Sequence, residues 1–153
     1  MEFFPSLLDR QQSDDLAATI RRLIKQRGWG FWAIEIPEIA NFIGFAGLHI
    51  PRDDLPFSPC TEIGWRLAFE FWGKGYASEA AQAVLELGFK NLGLAEIVSF
   101  TAASNRRSRA VMARIGMRHA GECFEHPGIT PGHPLSLHVL YRINNPFTAF
   151  PPR

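Results

Sequence analysis

The stretch Trp65-Arg66-Leu67-Ala68-Phe69-Glu70-Phe71-Trp72-Gly73-Lys74-Gly75-Tyr76-Ala77-Ser78-Glu79 decides how the rest of the chain is read. It opens as an apolar strand, breaks at Gly73 and Gly75, and runs into an amphipathic segment, Ala77 to Asn91. A strand, a glycine-bearing loop and a helix N-terminus together can hold a phosphate. Glycine lets the backbone approach an anion with no Cβ in the way. The first N–H groups of a helix have no partner inside it and stand at the positive end of its dipole. The competing reading is an ordinary β-turn-α connection, since a lone Gly-x-Gly is weak evidence. A P-loop is excluded, because Gly-x-x-x-x-Gly-Lys-Ser/Thr does not fit Gly73-Lys74-Gly75-Tyr76.

Upstream, Ile63, Trp65 and Leu67 alternate with Glu62, Gly64 and Arg66, so Cys60 to Ala68 is expected to be a strand. Downstream, Ala81, Val84, Leu85, Gly88 and Phe89 form one apolar helix face. Leu94 to Ala102 is a near-continuous apolar run, the pattern of a strand buried on both faces. Asn105 can cap a helix over Arg106 to Ile115, and Gly116 stops it. Met117 to Phe124 and Leu135 to Ile143 read as strands, with a loop from Glu125 to Pro134 between them. Toward the N-terminus, Ser13 is the expected cap of a helix whose apolar stripe is Leu16, Ile20, Leu23 and Ile24, closed by Gly28. Trp29 to Glu35 and Asn41 to Ile50 are further strands, and Pro51 to Pro59 a proline-bearing loop. Phe3-Phe4-Pro5 presents aromatics that need a partner. The pattern is α+β, with a mixed, mainly antiparallel sheet flanked by helices. A single domain is expected over 1–145, with an irregular tail over 146–153.

Three ordered motifs give this pattern a family. Trp72-Gly73-Lys74-Gly75-Tyr76-Ala77 resembles the acetyl-CoA pyrophosphate loop of the GNAT superfamily of N-acetyltransferases, Gln/Arg-x-x-Gly-x-Gly/Ala, with Trp72 where Gln or Arg is usual. That substitution is similar to the branch of ribosomal-protein alanine N-acetyltransferases, which favours Trp-Gly-Lys-Gly-Tyr-Ala. The same branch carries Glu-Ile-Gly before the loop, found here as Glu62-Ile63-Gly64. It also carries Asn-x-x-Ser after the next strand, found as Asn105-Arg106-Arg107-Ser108. The resemblance covers Gly28 to Arg142 and implies acetyl-CoA as cosubstrate, held by Trp65, Arg66, Leu67, Gly73, Lys74, Gly75, Tyr76, Ala77, Ser78 and Asn105. It implies that the Glu62–Ala68 and Leu94–Ala102 strands splay apart, so that the pantetheine arm enters between them. It also implies that the first strand and part of the first helix of the family's frame precede Met1. Trp29 to Glu35 is then the sheet's edge, and either homodimerisation through that edge or reduced stability is expected.

Composition bounds the rest. The chain has 153 residues, 46% hydrophobic and 20% charged, which is ordinary globular material of one-domain size. A formal net charge of +1 supplies no global attraction to nucleic acid or an anionic membrane. There is neither an opening signal peptide nor an apolar run of membrane-spanning length, so a cytoplasmic protein is the expectation. Cys60 and Cys123 lack metal-ligand spacing and read as buried reduced thiols rather than a disulfide. No metal is expected.

The chemistry the resemblance implies is acetyl transfer to a primary amine, at a peptide N-terminus or on a small molecule. The amine must be neutral to attack. A lysine amine is neutral in about 0.04% of molecules at pH 7, an α-amine in about 14%. The demand on a base is therefore lighter for an N-terminal amine. Glu62 is the candidate base, the alternative being a strand-edge surface charge or a partner for Arg66. Ser108 is the candidate acid, in the position where other family members use a tyrosine to protonate the thiolate. The competing reading makes Asn105 a helix cap and Ser108 an ordinary first-turn residue. Glu125, His126, His133 and His138 read as surface residues, with His126 or His138 the alternative base or a substrate contact. Arg106, Arg107, Arg109 and Arg114 crowd one helix, where one or two can pair with CoA phosphates. Few acidic residues fall near the acceptor side, which argues against polycationic acceptors. The competing class is a CoA-binding or interaction protein without catalysis.

Overall fold

A computed structural model describes residues 2–148. The order of elements is α1 (Arg10–Arg27), β1 (Phe31–Ile36), β2 (Ala40–His49), β3 (Glu62–Leu67), a 3-10 turn (Phe69–Phe71), α2 (Tyr76–Lys90), β4 (Glu96–Ala102), α3 (Arg106–Arg114), β5 (Arg118–Glu125) and β6 (Leu137–Asn144). The strands form one six-stranded sheet in the order β1-β2-β3-β4-β6-β5. Every neighbouring pair is antiparallel except β3–β4. The mixed, mainly antiparallel α+β arrangement is therefore the observed one.

The parallel pair is what positions the site. Glu62 opposite Val98 is its one bridged pair, supported by the Val98 N–H donating to Thr61 O and the Ser99 hydroxyl donating to Ile63 O. Beyond Ile63 the two strands diverge with no further hydrogen bond between them among the described residues. The edge of β3 facing β4 is thus left without a strand partner over Gly64 to Leu67, with only the Leu67 C=O taken, by the Trp72 indole. Parallel strands normally continue as an evenly bonded ladder, so such a break opens a slot in the middle of the sheet.

The core holds one side of that slot in place. Ile63, Ala81, Val84, Leu85, Phe89, Ile97 and Met112 are all buried, which presses α2 and α3 onto β3 and β4. The helical stripe expected in α2 (Ala81, Val84, Leu85, Gly88, Phe89) is its complete set of buried residues. In β3 the alternation places Ile63 in this core and leaves Glu62, Gly64 and Arg66 on the opposite face. In β2, Gly47 allows close strand approach, since a Cβ there would collide with the Gly30 carbonyl.

Several local expectations change. α1 begins three residues before Ser13. Asp9 caps it, accepting from the Gln12 N–H at 2.8 Å, while the Gln12 side chain accepts from the Asp9 N–H at 2.9 Å. This reciprocal capping box satisfies two orphan donors where Ser13 would satisfy one. Leu16, Ile20, Leu23 and Ile24 do face inward, but all are half-buried and α1 has no fully buried residue. Cys123 lies exposed and is not the buried thiol expected, because β5 is the sheet's outermost strand. Cys60 is half-buried, and burial pushes its thiol up to about 11. Beyond Thr148, the tail lies outside the described residues.

Candidate active site

Two clefts meet at the opened slot. The first, of about 440 Å³, runs from the slot to the glycine loop and the start of α2. The second, of about 540 Å³, lies on the other side, beneath α1 and beside the start of β6. Six residues line both: Phe3, Phe4, Trp65, Arg66, Asn105 and Ser108.

The first cleft gathers most of the residues the sequence points to. Trp65, Arg66, Leu67, Gly73, Gly75, Tyr76, Ala77, Ser78 and Asn105 all line it. Lys74 does not; its ammonium lies 5.7 Å over the Phe71 ring instead. Gly73 and Gly75 both have left-handed backbones, with φ of +72° and +85°. In front of each Cα lies open space, where a Cβ would meet no protein atom within 4 Å. Gly75 is the N-cap of α2 and brings no side chain to cap it, so the Tyr76, Ala77 and Ser78 N–H groups find no acceptor among the described residues. Uncapped donors facing open space at a helix start suit an anion. The Trp72 indole donates to Leu67 O at 2.8 Å, which folds the loop back on the strand end.

Of the four α3 arginines, two reach this cleft. The Arg107 guanidinium lies 5.0 Å over the Trp72 ring, and Arg114 donates to the Ser78 hydroxyl at 3.0 Å. Arg109 turns back to Ala103 O at 2.9 Å, and Arg106 lines neither cleft.

At the junction, Asn105 both caps α3 and orients Ser108. Its Oδ1 accepts from the Ser108 N–H at 3.2 Å. Its Nδ2 donates to Thr101 Oγ1 at 3.0 Å and to Ser108 Oγ at 3.1 Å. Both amide protons are thereby engaged inside the protein. With Ser108 Oγ acting as acceptor there, its own proton remains available for donation.

The second cleft holds Glu62. Its carboxylate is buried and hydrogen-bonded to His49 Nε2, so it is neither a surface charge nor a partner for Arg66. Burial pushes the Glu62 carboxyl above the ordinary carboxylate range, and the hydrogen bond from His49 pulls the other way. His49 was not singled out in the sequence. The register that pairs it with Glu62 across the β2–β3 ladder is the signal that finds it, and reading that register requires the intervening loop to be aligned.

His138 is buried rather than on the surface, with its ring 4.8 Å from that of His126; both line the second cleft. The reason is aromatic packing, as Phe100 and Phe124 stack against both imidazoles and Phe57 packs on the two phenyls. Burial holds both histidines below their usual range. His133 accepts from the Leu135 N–H within its turn, and Glu125 is exposed. The described residues contain no group of three or more His, Cys, Asp or Glu suited to a metal ion.

A sheet opened between two parallel strands, a glycine loop at the mouth and an uncapped helix N-terminus define an acyltransferase architecture. The acetyltransferase (GNAT) domain family matches residues 1–118. The chain belongs to this family. FsC-acetyl coenzyme A-N(2)-transacetylase of Aspergillus fumigatus is 35% identical, over 65% of this chain and 50% of that protein. The chain thus spans half the length of this relative. A GNAT-family acetyltransferase of Bacillus anthracis superposes with a TM-score of 0.70 at 27% identity, over 92% of this chain and 77% of that one. The ribosomal-protein-S5-alanine acetyltransferase of Vibrio fischeri shares the fold, with a TM-score of 0.70 at 22% identity over 93% and 74% of the two chains. No described helix is long and apolar enough to cross a membrane.

Proposed function

We propose that this chain transfers an acetyl group from acetyl-CoA to a primary amine, specifically an α-amine such as a peptide N-terminus. The observation that carries the reading is the meeting of the two clefts at Ser108, with an anion cradle at one far end and a buried carboxylate in the other cleft. The residues fit the cosubstrate. The uncapped α2 start and the space before Gly73 and Gly75 suit the pyrophosphate, with Arg107 and Arg114 at hand for phosphate charge. The free edge of β3 over Trp65, Arg66 and Leu67 suits the amides of the pantetheine arm. Bound there, acetyl-CoA supplies an activated acyl group and a thiolate leaving group. The name of the Aspergillus relative, which specifies acetyl coenzyme A and transfer to nitrogen, supports this reading.

The chain's own residues then divide the proton chemistry. Glu62, in its ionised form, takes a proton from the ammonium of the acceptor, directly or through one water. A carboxyl held above its ordinary range is a better base than a solvated one, and His49 keeps it oriented. Ser108 presents its free proton toward the departing sulfur, oriented by Asn105. A serine hydroxyl is a weak acid, so its contribution is hydrogen bonding to the sulfur or to a water held there. A moderate base of this kind suits an α-amine better than a lysine, which is neutral a few hundredfold less often at pH 7.

Release of free CoA, read with a thiol reagent against a panel of peptides and small amines, tests the reading. Acetylation of α-amines at rates well above acetyl-CoA hydrolysis is expected. Turnover with polyamines but not α-amines would assign a small-molecule enzyme. Thermal protection by acetyl-CoA without turnover on any amine would leave a binding protein.

A further inference from the structure

Arg66 is the cation of the second cleft that the fold leaves unmatched. Its Nε is buried without a hydrogen-bond partner, and no hydrogen bond or ion pair joins its guanidinium to another described residue. Burial presses its guanidinium toward lower basicity, with no carboxylate nearby to offset the loss of hydration. The other charged groups of the cleft are already engaged. Arg52 is bonded to Asp54 at 2.7 Å, and Glu62, the cleft's one acidic lining residue, is bonded to His49. Around them stand the ring nitrogens of His126 and His138. Arg66 is therefore the one cation of this lining with no anionic partner among the described residues.

Two aromatic rings also lie against the guanidinium. The Phe4 ring lies 4.1 Å from it and the Phe45 ring 5.4 Å. Stacking occupies the faces of a guanidinium but leaves its edge donors free, and that edge matches a carboxylate in a two-pronged arrangement. Arg66 lines the first cleft as well, but in the proposed complex the phosphates of acetyl-CoA have other partners. Those belong to the loop and the α2 start, with Arg107 and Arg114, while the pantetheine arm that passes Trp65 to Leu67 carries no charge. An anion at the Arg66 side chain has to arrive with the acceptor.

We propose that the Arg66 side chain determines acceptor specificity by binding a carboxylate carried by the amine substrate. This rests on the acetyl-transfer reading of the site. The chemistry selected is an amine with a nearby carboxylate, supplied either by a free amino acid or by an acidic residue next to a peptide N-terminus. Polyamines, which bring only positive charge, gain nothing from this cation.

The test compares matched acceptor pairs in the CoA-release assay: amino acids against their amides, and dipeptide amides with Asp or Glu second against the same peptides with Asn or Gln. The wild-type protein is expected to favour the carboxylate member of at least one set by roughly tenfold or more in kcat/KM, as a charge-assisted pair provides. The set that shows it identifies the source of the carboxylate. Arg66→Met, which keeps apolar bulk between the rings, should erase that ratio by raising the acceptor KM, with the acetyl-CoA KM within about twofold. Arg66→Lys, which keeps the charge but not the fork, should retain part of it. Equal rates for acids and amides in the wild type overturn the proposal and leave acetyl transfer standing. So does an Arg66→Met effect confined to the acetyl-CoA KM. An absence of turnover with every amine, acids included, removes the acetyl-transfer reading and this proposal with it.

Discussion

His49 and Glu62 face each other across the β2–β3 pair, and His49 Nε2 is hydrogen-bonded to the buried Glu62 Oε2. A buried carboxyl with one polar partner has two opposed influences on it, and removing each side gives a different result. Glu62→Gln should lower turnover about 100-fold, the low end for a positioned base. His49→Ala should move the acidic limb of the kcat/KM profile to higher pH, because the influence that lowers the Glu62 pKa is gone. The acceptor amine's own limb is common to both proteins, so the difference isolates the pair. An unmoved limb would detach His49 from the base.

The same group has a stability signature of unusual sign for a carboxylate. Its folded-state pKa is raised, so its contribution is full below the ordinary value near 4.5 and is lost as pH rises through the folded value. Wild type should therefore lose stability relative to Glu62→Gln as pH rises above about 4.5 toward the raised folded value. Paired melts across that range check the direction.

Ser108→Ala should reduce turnover by up to about 100-fold while acetyl-CoA affinity stays within a few-fold, as expected of a group acting mainly in the transition state. Asn105→Ala is the control that separates chemistry from capping. It should cost about 1 kcal/mol of stability through the lost cap and also disorient Ser108. Equal turnover for Ser108→Ala and wild type would remove the hydroxyl from the reaction.

Gly75 tests the anion cradle. Gly75→Val places a β-branched residue at φ +85°, which costs about 1–3 kcal/mol in backbone strain, and fills the space before the Cα. Gly75→Asn tolerates that backbone better and so separates strain from blockage. Both folded variants should lose acetyl-CoA binding by calorimetry. Wild-type affinity in Gly75→Asn would place the phosphates elsewhere.

Much of this site was legible before any coordinates, because its parts are local. The strand, loop and helix from Trp65 to Glu79 follow from alternation, two glycines and an apolar stripe, all read within a short window. Asn105 and Ser108 follow from a cap and its first turn. What could not be read is what depends on register and on layers. His49 reaches Glu62 only through the β2–β3 pairing, and His138 is buried only because Phe57, Phe100 and Phe124 arrive from three separate segments. The unmatched state of Arg66 is likewise invisible in a sequence, since it is a statement about all of its neighbours. The helix start was missed for a different reason: Asp9-x-x-Gln12 is itself a capping box, and Ser13 offered a second, weaker cap.

β1 lies at one edge of the sheet, and no described strand pairs with its outer side. Phe31, Trp32 and Ile34 on it are only half-buried. Open edges with apolar side chains recruit further strands, so concentration-dependent association is expected by light scattering, and Ile34→Lys should reduce it. A monomer at every concentration would show the edge to be inert.

The paired imidazoles set the acid limit of the fold. Burial holds His138 and His126 below the ordinary histidine value of 6.5, with Arg52 also lowering His126. The unfolded chain therefore binds more protons than the folded one between the lowered values and 6.5, and stability rises with pH across that window. As pH falls below about 6.5, this contribution is progressively lost. The expected sign is opposite to that for Glu62, whose contribution falls as pH rises. His138→Phe would fill the space beside Phe100 and Phe124 with a ring that does not titrate. Its melting temperature should fall less than that of wild type between pH 7 and pH 5. An identical fall in the two proteins would assign the acid sensitivity to other groups.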